Sequence, residues 1–318
     1  MPKTNKKLSL ITIAMPIMAS HLLAFSISSS ANTSSNTIYQ FQFLEGLGGG
    51  NTYARDINNN GKVVGYSDTI IQTQHATIWT NFLASDLGAL GGANSQANAI
   101  NDNDWIVGWS ENTQGDIRGA QWVHPLTPAF DMGSLNGTGS PNNNLNSFGL
   151  TVGNDGTNAT IFTSISSRVY LQNEYGTYGN AMAINDKYQV VGAFTDDTKG
   201  AYYAGLWGPG YKLTNLGSLG GNGSWAYDIN ESSQIVGSAR RSDDFIHAAI
   251  WNDNKIKGLG TLGGDFSSAF GINNLGQVVG MSTELGVFET YATLWDGDSI
   301  INLNDYLDNS YTQDGWIL

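Results

Sequence analysis

The chain has 318 residues, 40% of them hydrophobic and only 13% charged, with no cysteine and a formal net charge of −13. The missing cysteine excludes disulfides, thiolate metal sites, a thiol nucleophile and a lipid-modified N-terminal cysteine. The acidic balance argues against nucleic acid and anionic lipid surfaces as partners, because their phosphates demand basic patches.

The N-terminus reads as a secretory signal over residues 1–31. Lys3, Lys6 and Lys7 form its basic end, residues 8–23 its apolar body, and Ser29-Ser30-Ala31 a small-residue cleavage site. An uncleaved anchor is the alternative, but Pro16, His21 and several serines weaken a bilayer span. Cleavage takes three lysines and no acid, leaving −16 on the mature chain. No second apolar span follows. The expected mature protein is therefore secreted, extracellular or at the cell surface, with the periplasm as the alternative, and is not inserted in a membrane.

From Leu44 onward one frame recurs. It is clearest as LGTLGGDFSSAFGINNLGQVVG ending at Gly280, and returns in versions ending at Gly65, Gly108 and Gly237. Each unit closes on an aromatic: Trp79, Trp122, Phe162, Trp207, Trp251 and Trp295. The glycine after the valine pair is Gly65, Gly108, Gly153, Gly192, Gly237 and Gly280, so the period is 39–45 residues. Six copies result, at about 44–79, 87–122, 132–162, 175–207, 216–251 and 259–295, with a closing segment 296–318. The third and fourth lack the full LGxLGG. The third also lacks the repeat's alanine and carries the run Asn142–Asn144.

No copy shows helical apolar spacing over three turns. Each instead holds four short β-type runs, which in the last copy fall at 268–272, 277–282, 291–295 and 299–303. Four strands per repeat of this length predict an all-β propeller of six four-stranded blades in one domain over 32–318. A β-solenoid is the rival, though its strands need no hairpin turns. Residues 38–44 look like a stray fourth strand and residues 315–318 like the start of a further first strand. Six blades with trimmed ends, or an incompletely closed seventh, both fit.

The best-determined turn follows the first strand. An Asn stands there in every copy (Asn58, Asn101, Asn146, Asn185, Asn230 and Asn273), and Gly61 and Gly276 stand three residues on. An Asn side chain can bond the backbone two residues ahead, and Gly tolerates the positive φ that closes the turn. Alanine three residues before the Ile (Ala54, Ala97, Ala181, Ala226 and Ala269) suits the innermost strand, and the closing Trp suits the wider space between blades.

These motifs together resemble the HAF-repeat family of bacterial proteins. The shared features are LGxLGG, Ala-x-x-Ile-Asn-x-x-Gly-x-Val-Val-Gly and x-Ala-x-Ile/Leu-Trp, covering about residues 44–295. The resemblance implies an exported, propeller-like protein of unestablished function, and brings no catalytic residues. Some relatives continue with another repeat after segments like residues 301–307 and 315–318.

The search for chemistry finds little. His75 and His247 share a slot that other copies fill with Arg118, Asn158, Tyr203 and Tyr291, which reads as a half-exposed strand position and not as a metal ligand. His124 reads as loop. Residues 56–61, DINNNG, match the opening of a calcium loop, but Ser67 replaces the bidentate Glu at position twelve, and a hairpin turn is the plainer reading. No cofactor is expected beyond that weak calcium option. Phosphate-loop, dinucleotide, nucleophile-elbow and zincin motifs are all missing.

In a propeller, the second-to-third-strand loops and the blade-to-blade turns emerge on one face. The variable segments 68–74, 111–118, 195–200, 240–245 and 283–289 fall there. Their charged members, Arg118, Asp196, Asp197, Lys199, Arg240, Arg241, Asp243 and Asp244, are the candidate ligand-binding set; the alternative is that they only keep the rim wet. The expected function is a monomeric binding module for an unknown glycan, polymer or protein. A hydrolase or lyase using carboxylates at the channel mouth is the alternative, and a structural or truncated repeat array the third reading.

Overall fold

The computed structural model describes residues 23–28, 38–123, 128–134, 144–164, 167–253 and 255–306. By compactness the chain divides into Met1–Asp131 and Met132–Leu318, each treated below by itself. The fold is all-β, a propeller of six four-stranded blades.

In the first unit, β1 (Leu23–Ser28) pairs antiparallel with β2 (Ile38–Phe43). The stray strand expected at residues 38–44 thus exists but completes no blade. The basic end and cleavage site of the expected signal lie outside the described residues, as do His124, Asn142, Asn143 and residues 307–318. The first blade is β3 (Gly48–Ile57), β4 (Val63–Thr69), β5 (Gln74–Thr80) and β6 (Leu83–Gly88). The second is β7 (Gly91–Ile100), β8 (Ile106–Asn112), β9 (Ile117–Trp122) and β10 (Phe130–Ser134).

The second unit holds the other four blades. They are β11 (Asn144–Leu145) to β14 (Ser167–Tyr170) through β12 (Thr151–Asp155) and β13 (Asn158–Ser164); then β15 (Gly179–Ile184), β16 (Val190–Asp196), β17 (Ala201–Trp207) and β18 (Leu213–Asn215). The fifth blade is β19 (Gly220–Ile229), β20 (Ile235–Arg241), β21 (Ile246–Asn252) and β22 (Lys255–Gly258). The sixth is β23 (Gly263–Ile272), β24 (Val278–Glu284), β25 (Thr290–Asp296) and β26 (Ser299–Asn302). Every blade is built from consecutive strands. The sequence repeat is offset from the blade: LGxLGG spans the junction, with Leu87 and Gly88 ending β6 and Gly91 opening β7. The offset also explains the odd third copy, since Met132 belongs to the second blade's outer strand and the third blade opens on only two paired residues.

Five first strands carry a bulge just after the repeat's alanine, between Ala54/Asp56, Ala97/Ala99, Ala181/Ala183, Ala226/Asp228 and Ala269/Gly271. The bulge presses the carbonyl before that alanine against the glycine of the valine pair. A Cβ on Gly65 would be driven into the Tyr53 carbonyl oxygen, and the same holds for Gly108, Gly192, Gly237 and Gly280. Only glycine fits there.

The Asn turn does what its chemistry predicts and then more. Asn230 Oδ1 accepts the amides of Ser232 (3.0 Å) and Gln234 (2.9 Å). The turn closes at positive φ on Gly61, Gly149 and Gly276, but also on Asp104, Tyr188 and Ser233. Meanwhile the Asn amide donates to the carbonyl of the next blade's Asn. Asn58 reaches Asn101 (3.0 Å) in the first unit, and the chain Asn146, Asn185, Asn230, Asn273 runs through the second at 3.4, 3.1 and 3.0 Å. The following residue builds a parallel ladder: the Asn59 amide on Asp102 (2.8 Å), Ser147 on Asp186 (2.8 Å), Asp186 on Glu231 (3.0 Å) and Glu231 on Asn274 (2.9 Å).

The core lies between adjacent blades. Ala54, Ala97, Ala181, Ala226 and Ala269 are fully buried, and Trp79, Trp122, Trp207 and Trp251 with them. Ile78 and Leu87 of the first blade meet Ala97, Ile106 and Trp122 of the second; Ala204 and Leu216 of the fourth meet Ala226 and Trp251 of the fifth. Each of these indoles also donates to the carbonyl that leads its repeat: Trp79 to Glu45 (2.7 Å), Trp122 to Leu87 (2.9 Å), Trp207 to Gln172 (2.8 Å) and Trp251 to Leu216 (3.0 Å). Trp295 is as buried, but its indole N–H has no acceptor.

Two expectations follow from these bonds. Trp251→Phe leaves the Leu216 carbonyl without its donor, whereas Trp295→Phe removes a buried unpaired donor. In urea unfolding the first should cost about 1–2 kcal/mol more than the second, and equal losses would show that the indole bond contributes nothing. Asn230→Ala frees two turn amides and the Asn273 carbonyl at once. It should lower stability by about 2–3 kcal/mol, measured by the same method, and a loss under about 0.5 kcal/mol would remove the ladder's structural importance.

Candidate functional site

Turns between second and third strands, and connections between blades, leave each sheet at the same end. Within the first unit that end carries Arg118. It lies on β9 and not in the preceding turn, where its Nη2 meets Asp131 Oδ2 at 2.8 Å and its Nε meets both Asp131 oxygens at 3.1 Å. A planar fork on a carboxylate is a strong pairing, and it ties the third strand to the fourth.

In the second unit, the remaining seven candidates fall in two neighbouring turns. Asp196 ends β16 and is buried. Its carboxylate accepts the Thr198 hydroxyl (2.5 Å) and amide (3.1 Å), with Lys199 Nζ at 3.5 Å. The Thr198 hydroxyl holds this carboxyl below the ordinary range; burial opposes the shift, and the Lys199 charge reinforces it. A carboxylate so stabilised in its charged form is poorly suited to donate a proton. Asp197 is exposed, with its amide on the Tyr175 carbonyl (3.0 Å), and the Lys199 ammonium lies 4.6 Å from the Tyr203 ring centroid. In the next turn Arg241 pairs with Asp243 (2.8 Å), while Arg240 donates to the Asp244 carbonyl (3.0 Å) and Asp244 takes φ 67°. The candidate charges are thus brought together pairwise, largely within their own turns.

The shared histidine slot is a half-buried strand position. His75 lies opposite Ser67 and bonds Asp86 at 2.8 Å; His247 lies opposite Ala239. Burial pushes the His247 imidazole down, Arg241 adds to this, and Asp243 and Asp265 pull the other way.

The same turns carry apolar residues that reading for charge overlooked. Ile70 is 80% exposed and Leu285 83%; Ile71 and Phe288 are likewise bare, and Ile117 and Phe245 half so. Their signal in the sequence was an apolar residue inside a variable, otherwise polar loop. Also missed was a serine circuit. Ser95, Ser224 and Ser267, each two residues before the repeat's alanine, accept the amides of Ala76, Ala204 and Ala248 in the preceding blade, each at 2.9 Å. They donate in turn to the carbonyls of Gly88, Gly217 and Gly260.

The calcium-like run at residues 56–61 forms the hairpin turn. Asp56 Oδ1 accepts the Ile57 amide and Oδ2 the Ile100 amide of the next blade, both at 2.8 Å. Asp228 repeats the arrangement with Ile229 (2.8 Å) and Ile272 (2.9 Å). Among the described residues no group of His, Asp or Glu converges as a metal site, and no helix is long and apolar enough to cross a membrane.

The class these sheets define is the six-bladed β-propeller. No family model matches the chain, and no curated protein matches it. Among solved structures it is similar to TolB from Acinetobacter baumannii, with a TM-score of 0.46 and 15% identity, over 77% of this chain and 62% of that one. The similarity therefore spans under two thirds of that protein's length, and a likeness so loose carries neither residues nor partners to this chain.

Burial pushes the Asp56 carboxyl up to about 6 from 3.8; the Ile100 and Ile57 amides oppose this, and Asp102 adds to it. A raised folded-state value means the native protein binds the proton more tightly than the unfolded chain between these two values. Asp56 is then cost-free below about pH 4 and destabilises by roughly 1–3 kcal/mol above about pH 6. Wild type should lose stability against Asp56→Asn as pH rises from 4 to 6, in urea melts of both. A constant difference would show the carboxyl to be unshifted.

Proposed function

We propose that this chain is an exported binding module whose second-to-third-strand turns engage a glycan, polymer or protein at the cell surface or outside it. One observation carries the reading. Turns in separate blades place large apolar side chains in water, Ile70, Ile71, Leu285 and Phe288 foremost, beside charged groups that the sheets do not need. Exposed apolar groups rimmed by polar ones mark interaction surfaces, and loops on a rigid scaffold are where binding residues concentrate. Export rests on the signal-like residues 1–31, and the HAF-repeat motifs support the same assignment. The charged set, Arg118, Asp196, Asp197, Lys199, Arg240, Arg241, Asp243 and Asp244, belongs to this face as its polar frame.

The test is capture of the purified chain from residue 32 onward on an array of glycans, cell-wall polymers and surface proteins, with and without calcium. Saturable capture should fall at least tenfold when Ile70, Ile71, Leu285 and Phe288 are replaced together by Ser. A folded chain that captures nothing, or one whose capture ignores the loops, would overturn the assignment.

A further inference from the structure

Positions that build a blade recur from copy to copy, so departures from the repeat mark residues with another task. The largest departures fall together in the fourth and fifth blades. Where other blades are led by LGxLGG, the fourth is led by residues 171–179, LQNEYGTYG, which put Tyr175 and Tyr178 at the junction. Where the first strand elsewhere carries Asn51, Asn94 or Phe266, the fifth blade has Gly223, and two residues on it has Trp225 in place of Tyr53, Gln96 or Ser268. Tyr202 opens the third strand beside them.

These rings form a row along one end of the second unit. Tyr175 is held by its carbonyl, which accepts the Asp197 amide (3.0 Å), and packs 5.2 Å from Phe194. The Tyr178 carbonyl accepts the Thr195 amide (2.9 Å), and its ring meets Tyr202 edge to face at 5.8 Å. Gly223 forms the joint to the last ring: a Cβ there would lie 3.3 Å from the Tyr202 carbonyl and 3.7 Å from the Trp225 indole edge. Tyr175 and Tyr202 are exposed, Tyr178 and Trp225 half-buried, so each ring is anchored at one end and open at the other. Between them stand polar groups facing solvent: the exposed Asp197, and Asn222, which accepts the Tyr203 hydroxyl at 2.7 Å.

We propose that this row binds a neutral, β-linked polysaccharide; the idea rests on the binding-module reading above. Rings that are apolar in body and polar at the tip serve surfaces that are half apolar and half wet. A pyranose chain with equatorial substituents presents that alternation, with C–H faces to stack and hydroxyls for Asp197 and Asn222. Row geometry fits an extended polymer better than a compact ligand. A polyanion is disfavoured by the net charge of −13.

The experiment is isothermal titration of the whole chain with cellohexaose and with chitohexaose. At least one should bind saturably, with affinity at least tenfold weaker in Tyr202→Ala and in Trp225→Ala. Tyr202→Phe should retain binding, and Phe288→Ala, outside the row, should leave it unchanged. Cooperative urea unfolding of each variant separates lost binding from lost folding. The inference fails if wild type binds neither hexasaccharide, or if binding is indifferent to both alanine variants. A chain captured on the array through its loops but indifferent to Tyr202 and Trp225 sinks this inference alone; one that captures nothing sinks both.

Discussion

Each blade completes its own four-stranded ladder and shares no strand with its neighbour, so cohesion between blades falls entirely to side chains reaching across. The small buried faces of Ala97, Ala226 and Ala269 let the sheets approach, and the indoles fill the gap as it widens. Apolar packing alone would leave blade ends with open amides and carbonyls, each costly if buried unpaired. The repeat answers with polar side chains that bond a neighbour's backbone: Asn at the turn, Ser two residues before the alanine, and Trp at the close. Asp56 and Asp228 do the same one residue before the Ile.

This division explains what the sequence made legible. The Asn turn and the closing Trp were readable because each uses local chemistry: an Asx bond to a nearby amide, or a large apolar ring in a fixed slot. The blade count followed from their spacing. The inter-blade bonds were not readable, because each joins residues some 43 to 46 apart and needs the stacking angle to be known. Gly280 was visible as a landmark without its cause, since the bulge beside Ala269 that forbids a Cβ is a backbone event. Residues 132–162 misled for the opposite reason. Met132 mimics the start of a copy, yet it belongs to an outer strand of the preceding blade.

Positive φ at Asp104, Tyr188 and Ser233 shows how far the turn is determined by its ladder and not by its own residues. Left-handed backbone is unfavourable for side chains of these kinds, most of all for tyrosine. The turn is retained without glycine because two amides on the Asn oxygen and one carbonyl on its amide over-determine it. Tyr188 gains a further contact there, stacking nearly parallel on Phe148 of the preceding blade at 5.9 Å.

The same accounting changes the meaning of the chain's acidity. Asp102, Asp186 and Glu231 accept amides of a neighbouring turn, and Asp56 and Asp228 clamp adjoining strands. A sizeable part of the negative charge is therefore structural, which solubility alone would not require. On the loop face the remaining charges largely neutralise one another: Arg118 with Asp131, Arg241 with Asp243, Lys199 with Asp196. Exposed pairs of this kind contribute little to stability and have little attraction left for a distant ligand. The groups on that face with unspent free energy are the apolar and aromatic ones. Affinity there must come from burying Leu285, Phe288 or the Tyr202 row, with the paired charges setting which partners are turned away.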